Sequence, residues 1–105
     1  MIRVTFLYPN KPGSSFNADY YIDVHMRLVI KRLGSALKGV SAEIGISSAM
    51  PDSPPPNAAI ATFTFDSVQA FTEAVMPHFA ELQADIPNYT DIQPVVQIGD
   101  LRISQ

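Results

Sequence analysis

Two hydrophobic periodicities alternate along this chain, and their order leaves few folds open to it. Residues 2–8 alternate at period two, with Ile2, Val4, Phe6 and Tyr8 on one side and Arg3, Thr5 and Leu7 on the other. Residues 40–47 do the same through Val40, Ala42, Ile44 and Ile46. Residues 58–65 set Ala59, Ala61, Phe63 and Phe65 against Ile60, Thr62 and Thr64. A fourth run spans about 92–98. Side chains of a strand point to opposite faces in turn, so each run predicts a strand with one buried face.

The intervening stretches change period. Residues 18–33 place Ile22, Met26, Val29 and Leu33 on one stripe, which predicts a helix. Asn17 suits its N-cap, since the side-chain oxygen can accept a free N–H of the first turn. Phe16 before the cap and Tyr21 inside the helix suit a hydrophobic staple, and Gly34 is a stop signal. Asp23, Arg27 and Lys31 fall on the opposite side, where Asp23 and Arg27 suit a solvated ion pair. A second helix is expected after Asp66, read as its cap with Gln69 three residues later. Its stripe is Val68, Phe71, Val75, Phe79 and Leu82. Pro77 lies inside that stripe. A proline there lacks the backbone N–H and clashes with the preceding turn, at about 3 kcal/mol. A break at Met76–Pro77 follows, with a short helix to about Ala84. The Met50–Asn57 stretch, with four prolines, reads as a loop.

The resulting order, βαββαβ, is that of an α+β ferredoxin-like domain spanning residues 1–105. Its four-stranded antiparallel sheet has the order 4-1-3-2. Pro94 cannot donate a ladder hydrogen bond, which agrees with the last strand at an edge. Both helices cover one face. The other face would carry Leu7, Ile60 and Val95 among Thr5, Thr62, Thr64, Gln93 and Gln97, or the complementary set if the facing is reversed. Either set leaves apolar groups on an uncovered sheet, which calls for a partner, most simply a second copy.

Composition removes several function classes. The net charge of −3 and seven scattered basic residues argue against a nucleic-acid partner, because phosphate binding needs a basic patch. No apolar run approaches the ~18 residues that cross a bilayer. The N-terminal run is short and lacks a small-residue cleavage site, so a cytoplasmic location is expected. Without cysteine there is no disulfide, thiolate metal site or cysteine nucleophile.

Few residues remain to carry chemistry. His25 lies beside the buried stripe of the first helix, near Tyr21 and Leu28, and imidazole moves protons near neutral pH. Equally, His25 can be a half-buried side chain bonded to a neighbouring carbonyl or hydroxyl. His78, beside Pro77, reads as exposed or capping. Tyr8, Tyr20, Tyr21 and Tyr89 can donate hydrogen bonds to a ligand, though tyrosine more often packs with its hydroxyl reaching water. His25 and His78 lack metal-ligand spacing, and Gly34–Gly39 fits neither a dinucleotide-binding loop nor a P-loop. A metal site of His25 with Asp19 or Asp23 has nothing specific behind it, and the residues offer no self-sufficient cofactor site.

Two stretches, YPNKPGSSFNADYYIDVHMRLVIKRLG (Tyr8 to Gly34) and DIPNYTDIQPVVQIGDL (Asp85 to Leu101), resemble the EthD family. That family is named for a protein encoded beside the cytochrome system that degrades ethyl tert-butyl ether. The resemblance implies a dimeric α/β barrel, in which two ferredoxin-like units pack sheet to sheet. It also implies a pocket between the sheet and helices of one subunit. His25 matches the family's helix histidine and would point into that pocket; Tyr8, Tyr21, Phe63 and Phe65 would line it. The implied activity is that of a cofactor-independent oxidoreductase or isomerase-type enzyme. It would act on a small apolar catabolic intermediate, aromatic or lactone-like, with His25 as general acid or base. The alternative is a non-catalytic protein that binds a small hydrophobic molecule or supports an oxygenase partner. Haem binding through His25 is a minor third reading that the fold class allows.

Overall fold

The computed structural model describes residues 1–105. Strand β1 spans Ile2–Pro9, β2 Gly39–Ile44, β3 Asn57–Phe65 and β4 Val95–Asp100. All neighbours are antiparallel, in the order β2-β3-β1-β4, so the expected order and the edge position of the last strand are observed. The last strand begins at Val95 rather than near 92. Pro94, which lacks an N–H, ends the irregular segment instead of joining the ladder. The second strand likewise ends at Ile44, leaving Ile46 outside and almost fully exposed.

Register fixes the two faces. Val4 lies opposite Phe63 and Ile98, and Phe6 opposite Ala61 and Val96. This face packs under the helices, burying Val4, Tyr8, Ala59, Ala61, Phe63 and Phe65. On the other face Thr5 lies opposite Thr62 and Gln97, and Leu7 opposite Ile60 and Val95. Leu7, Ile60 and Val95 are absent from the core cluster, in agreement with the expected facing. Gln93 lies before β4 and takes no part in either face.

Helical backbone runs from 18 to 33 in three parts: α1, Ala18–Tyr20; a π turn, Tyr21–His25; and α2, Met26–Leu33. Asn17 caps it, its side-chain oxygen accepting from the Tyr20 N–H at 3.1 Å. The π turn holds one residue more than an α turn, so residues before it are rotated by about one position. Tyr21 thereby takes the inward place that straight helical spacing gave to Ile22. Tyr21 is buried and Ile22 only half-buried, while Met26, Val29 and Leu33 stay inward as expected. Gly34 ends the helix at φ 59°, a left-handed conformation that favours glycine.

The second helical layer consists of α3, Val68–Val75, and α4, Phe79–Asp85, separated by a 3₁₀ turn at Met76–His78. This is the break expected at Pro77. Ser67, not Asp66, is the N-cap: its hydroxyl accepts from the Ala70 N–H at 3.0 Å. Gln69 donates to Glu73 instead of closing a capping box. Phe71, Val75 and Leu82 pack against the core, but Val68 and Phe79 are about half exposed. The break at Pro77 disrupts the continuous stripe on which both were placed. Arg32 of α2 bridges to Glu81 of α4 at 2.8 and 3.1 Å, joining the helices on their outer side. Asp23 and Arg27 are exposed and make no ion pair.

Candidate active site

The site begins with two chain segments that are far apart in sequence. Phe16 and Thr90 form an isolated antiparallel bridge. The Asn17 N–H donates to the Tyr89 carbonyl at 2.8 Å, and the Thr90 hydroxyl to the Ser15 carbonyl at 2.6 Å. These bonds hold the end of α4, with Asp85 and Tyr89, against the start of the first helical run. Aromatic rings fill the junction, edge to face except for the tilted pair Tyr21–Tyr89. Tyr8, Phe16, Tyr21 and Tyr89 have ring centroids 5.0–6.0 Å apart.

His25 is 6% exposed and enters this cluster from the π turn. Its ring stacks on Tyr21 at 5.8 Å and leans on Tyr89 at 4.6 Å. Its Nδ1 lies 2.9 Å from Asp85 Oδ2. Asp85 is saturated on the other side, where Oδ1 accepts from the Tyr20 hydroxyl at 2.6 Å and from Asn88 Nδ2 at 3.0 Å. Burial pushes the Asp85 carboxyl up, but the hydrogen bonds from Tyr20, Asn88 and His25 outweigh it and hold the group below its ordinary range. Burial pushes His25 down, and the bond and charge of Asp85 only partly restore it. His25 is therefore neutral at pH 7. A neutral imidazole facing an ionised carboxylate carries its proton on Nδ1, an assignment made from the hydrogen-bond network. That leaves a lone pair on Nε2, which has no hydrogen-bond partner and is not sealed off by neighbouring atoms.

His25 lies in the wall of a cavity of about 230 Å³ between the sheet and the helices. Tyr8 and Phe63 of the sheet line it together with Tyr21, Met26, Val29 and Leu33 of the first helical run. Phe71, Val75, Phe79, Leu82, Gln83 and Ile86 close it from the second layer. Of the five expected site residues, the structure brings His25, Tyr8, Tyr21 and Phe63 around one cavity. Phe65 is placed outside it: two residues further along β3, it is fully buried beneath α3 with its ring 5.2 Å from Phe71. The Tyr8 and Tyr89 hydroxyls are 2.7 Å apart. Burial raises Tyr8, Tyr21 and Tyr89 well above the ordinary tyrosine range, so all three act only as protonated hydroxyls at pH 7.

Asp85 is the residue beside His25 that the sequence did not reveal. It opens the second of the two motif stretches, and a half-buried histidine needs a partner, but no local spacing joins residues 60 positions apart. No group of three His, Asp or Glu side chains converges as a metal-binding cluster, and no helix is long and apolar enough to cross a membrane.

The sequence and the fold both have recognisable relatives. The family model for the EthD domain matches residues 15–93. The crystal structure of an EthD-like protein from Ralstonia eutropha JMP134 is 39% identical and has a TM-score of 0.94, covering 99% of this chain and 94% of that one. An ethyl tert-butyl ether D family protein from Bacillus halodurans C-125 is 14% identical at a TM-score of 0.74, covering 97% and 99%. A cofactor-independent oxygenase from Streptomyces nogalater shares the fold at a TM-score of 0.61 and 10% identity, covering 98% and 93%. No curated protein matches the sequence. The span of the domain match and the 39% identity over almost the whole length place the chain plainly: it belongs to the EthD family.

Proposed function

We propose that this protein is an acid–base enzyme that removes a proton from a small apolar molecule held beside His25, without a cofactor. The observation that carries this reading is the Asp85–His25 pair in the wall of an apolar cavity, with Nε2 left without a hydrogen-bond partner. Asp85 fixes the tautomer and stabilises the imidazolium that forms when Nε2 takes a proton, the same division of labour as in a histidine–carboxylate pair of a hydrolase. Tyr8 can accept from Tyr89 and present its own proton to an oxygen that becomes negative. Tyr21, also in the cavity wall, offers a second hydroxyl.

The chemistry then divides by the fate of the anion. Return of the proton to another atom is an isomerisation, and direct reaction of a stabilised carbanion with dioxygen is an oxygenation. The fold relationship to a cofactor-independent oxygenase agrees with the second route but does not choose it. A homodimer, packed through the face that carries Leu7, Ile60 and Val95, and a service role beside an oxygenase belong to the same proposal.

Deuterium exchange tests the proton step without knowledge of the natural substrate. With 2-indanone in D₂O, the wild type should accelerate exchange at the acidic carbon. His25→Gln should lower that acceleration by about 10²–10⁴. Equal exchange by a folded His25→Gln protein would remove His25 from the chemistry. A wall with so few polar groups also suits simple binding, the second reading. Recovery of unexchanged indanone from the wild type, despite saturation, would favour it.

A further inference from the structure

The cavity that supports the acid–base reading also restricts what can enter it, by charge and by volume. Its wall contains no lysine and no arginine. Apart from tyrosine hydroxyls, its polar side chains are His25 and Gln83. Arg32, on the neighbouring helix, is tied to Glu81 on the outer side of the layer. Behind His25 stands Asp85, kept ionised by its three hydrogen-bond donors. A ligand that arrives as an anion would lose its hydration, find no cation and face a fixed negative charge. Burial of an unpaired charge is among the most costly events in a protein interior. A ligand that arrives neutral meets none of these costs.

Volume sets the second limit. An apolar protein cavity of about 150 Å³ accommodates benzene. In the same proportion, the 230 Å³ observed here accommodates about nine non-hydrogen atoms. That is one substituted ring, or two small fused ones. Phe79 and Val96 line the cavity while remaining about half exposed, which puts its mouth between α4 and β4. A third fused ring would have to project through that mouth into water.

We infer that the substrate is an uncharged molecule of one ring, or two small fused rings, whose single acidic O–H or C–H bond points at His25 Nε2. The inference rests on the acid–base reading for its proton and on the cavity wall for its charge and size. In the step itself, the substrate's O–H or C–H bond breaks and an Nε2–H bond forms. The electron pair remains on the substrate, and the new imidazolium lies between that anion and Asp85. Charge develops only after entry, where a counter-charge forms with it. Ring acids that already carry a carboxylate are excluded, and a third fused ring adds nothing to binding because it stays in water at the mouth.

Four probes test this on the unmodified protein, by NMR titration with the His25 ring nitrogens observed directly. The probes are 4-methylphenol, 4-hydroxyacetophenone, 4-hydroxybenzoate and 2-anthrol. 4-Hydroxyacetophenone and 4-hydroxybenzoate have nearly the same shape and differ in charge. The two neutral single-ring phenols should saturate and shift Nε2. 4-Hydroxybenzoate should bind at least about tenfold more weakly than its neutral analogue, and 2-anthrol should bind no more tightly than 4-methylphenol despite its larger apolar surface. Comparable affinity for the benzoate, tighter binding of 2-anthrol than of 4-methylphenol, or failure of both neutral phenols would overturn the inference. The two readings fail separately. Loss of this selection in a protein that still exchanges deuterium into 2-indanone sinks the ligand class alone. Intact selection in a protein that exchanges none sinks the acid–base reading and leaves the ligand class standing.

Discussion

Replacing Asp85 by asparagine should reverse the polarity of the His25 ring. In the native site Oδ1 accepts from the Tyr20 hydroxyl at 2.6 Å and from Asn88 Nδ2 at 3.0 Å. An asparagine at 85 has one oxygen, and those two donors would claim it. Its amide NH₂ must then face His25 Nδ1, where Oδ2 now lies at 2.9 Å. Two donors cannot face each other, so the imidazole proton moves to Nε2 and the lone pair turns away from the cavity. The hydrogen-bond count is nearly preserved, and the stability loss should stay within about 1.5 kcal/mol. The catalytic loss should be much larger, about 10²–10⁴ in deuterium exchange, because no base remains. Asp85→Ala differs: it strips an acceptor from three donors and should cost about 2–4 kcal/mol. That is below the ~3–5 kcal/mol typical of a fully buried broken pair, since the 13% exposure of Asp85 admits some water. Long-range ¹H–¹⁵N correlation spectra distinguish the two tautomers directly. An Asp85→Asn protein that keeps its proton on Nδ1, or keeps full exchange activity, would refute the reasoning.

Three further outcomes follow from the same geometry. The pH dependence of stability has a sign at each end. His25 is depressed below its ordinary 6.5 and Asp85 below its ordinary 3.8, so the unfolded chain binds those protons first. Stability should fall as pH drops below 6.5 and again below 3.8, and denaturant midpoints unchanged between pH 7.5 and 5 would contradict this. Tyr8, Tyr21 and Tyr89 are raised above 10.0, so stability should also fall above that pH. Phe65→Ala should cost about 3–5 kcal/mol while leaving phenol affinity unchanged once the protein is folded, because Phe65 packs on Phe71 outside the cavity. Calorimetric affinity that falls with it would return Phe65 to the ligand wall. Ser67→Ala should lower stability by about 1 kcal/mol and Asp66→Ala by far less, as read by chemical denaturation; the reverse order would restore Asp66 as the cap.

Local physics was legible in the sequence and distant pairing was not. Asn17 could be read as a cap because its donor, the Tyr20 N–H, is three residues away. Pro77 removes a backbone donor wherever it stands, so the helix break followed from residue type alone; the last strand is at an edge as read, but Pro94 lies before it and outside the ladder. The choice between Asp66 and Ser67 was harder, since both residue types cap and only the backbone decides which one leaves the strand. The π turn was hidden for a related reason. One extra residue changes the phase of a helix without leaving a marker in its composition, and it exchanged Ile22 for Tyr21 on the inner face. His25 was visible as a candidate, but its chemistry was not. The contact on which the proposed base depends is Asp85, and the β-bridge at Phe16 and Thr90 that brings the two segments together exists only in the folded chain. Phe65 was misplaced because alternation specifies the face of a strand but not the position along it at which the helices part to leave a cavity.

A crystal structure of the protein grown with 4-methylphenol tests the central claim most directly. The phenol oxygen should lie within hydrogen-bond distance of His25 Nε2, with the ring between Phe63 and Leu82 and Asp85 still on Nδ1. Density for the phenol elsewhere, or an imidazole rotated away from Asp85 with no ligand against it, would contradict the account.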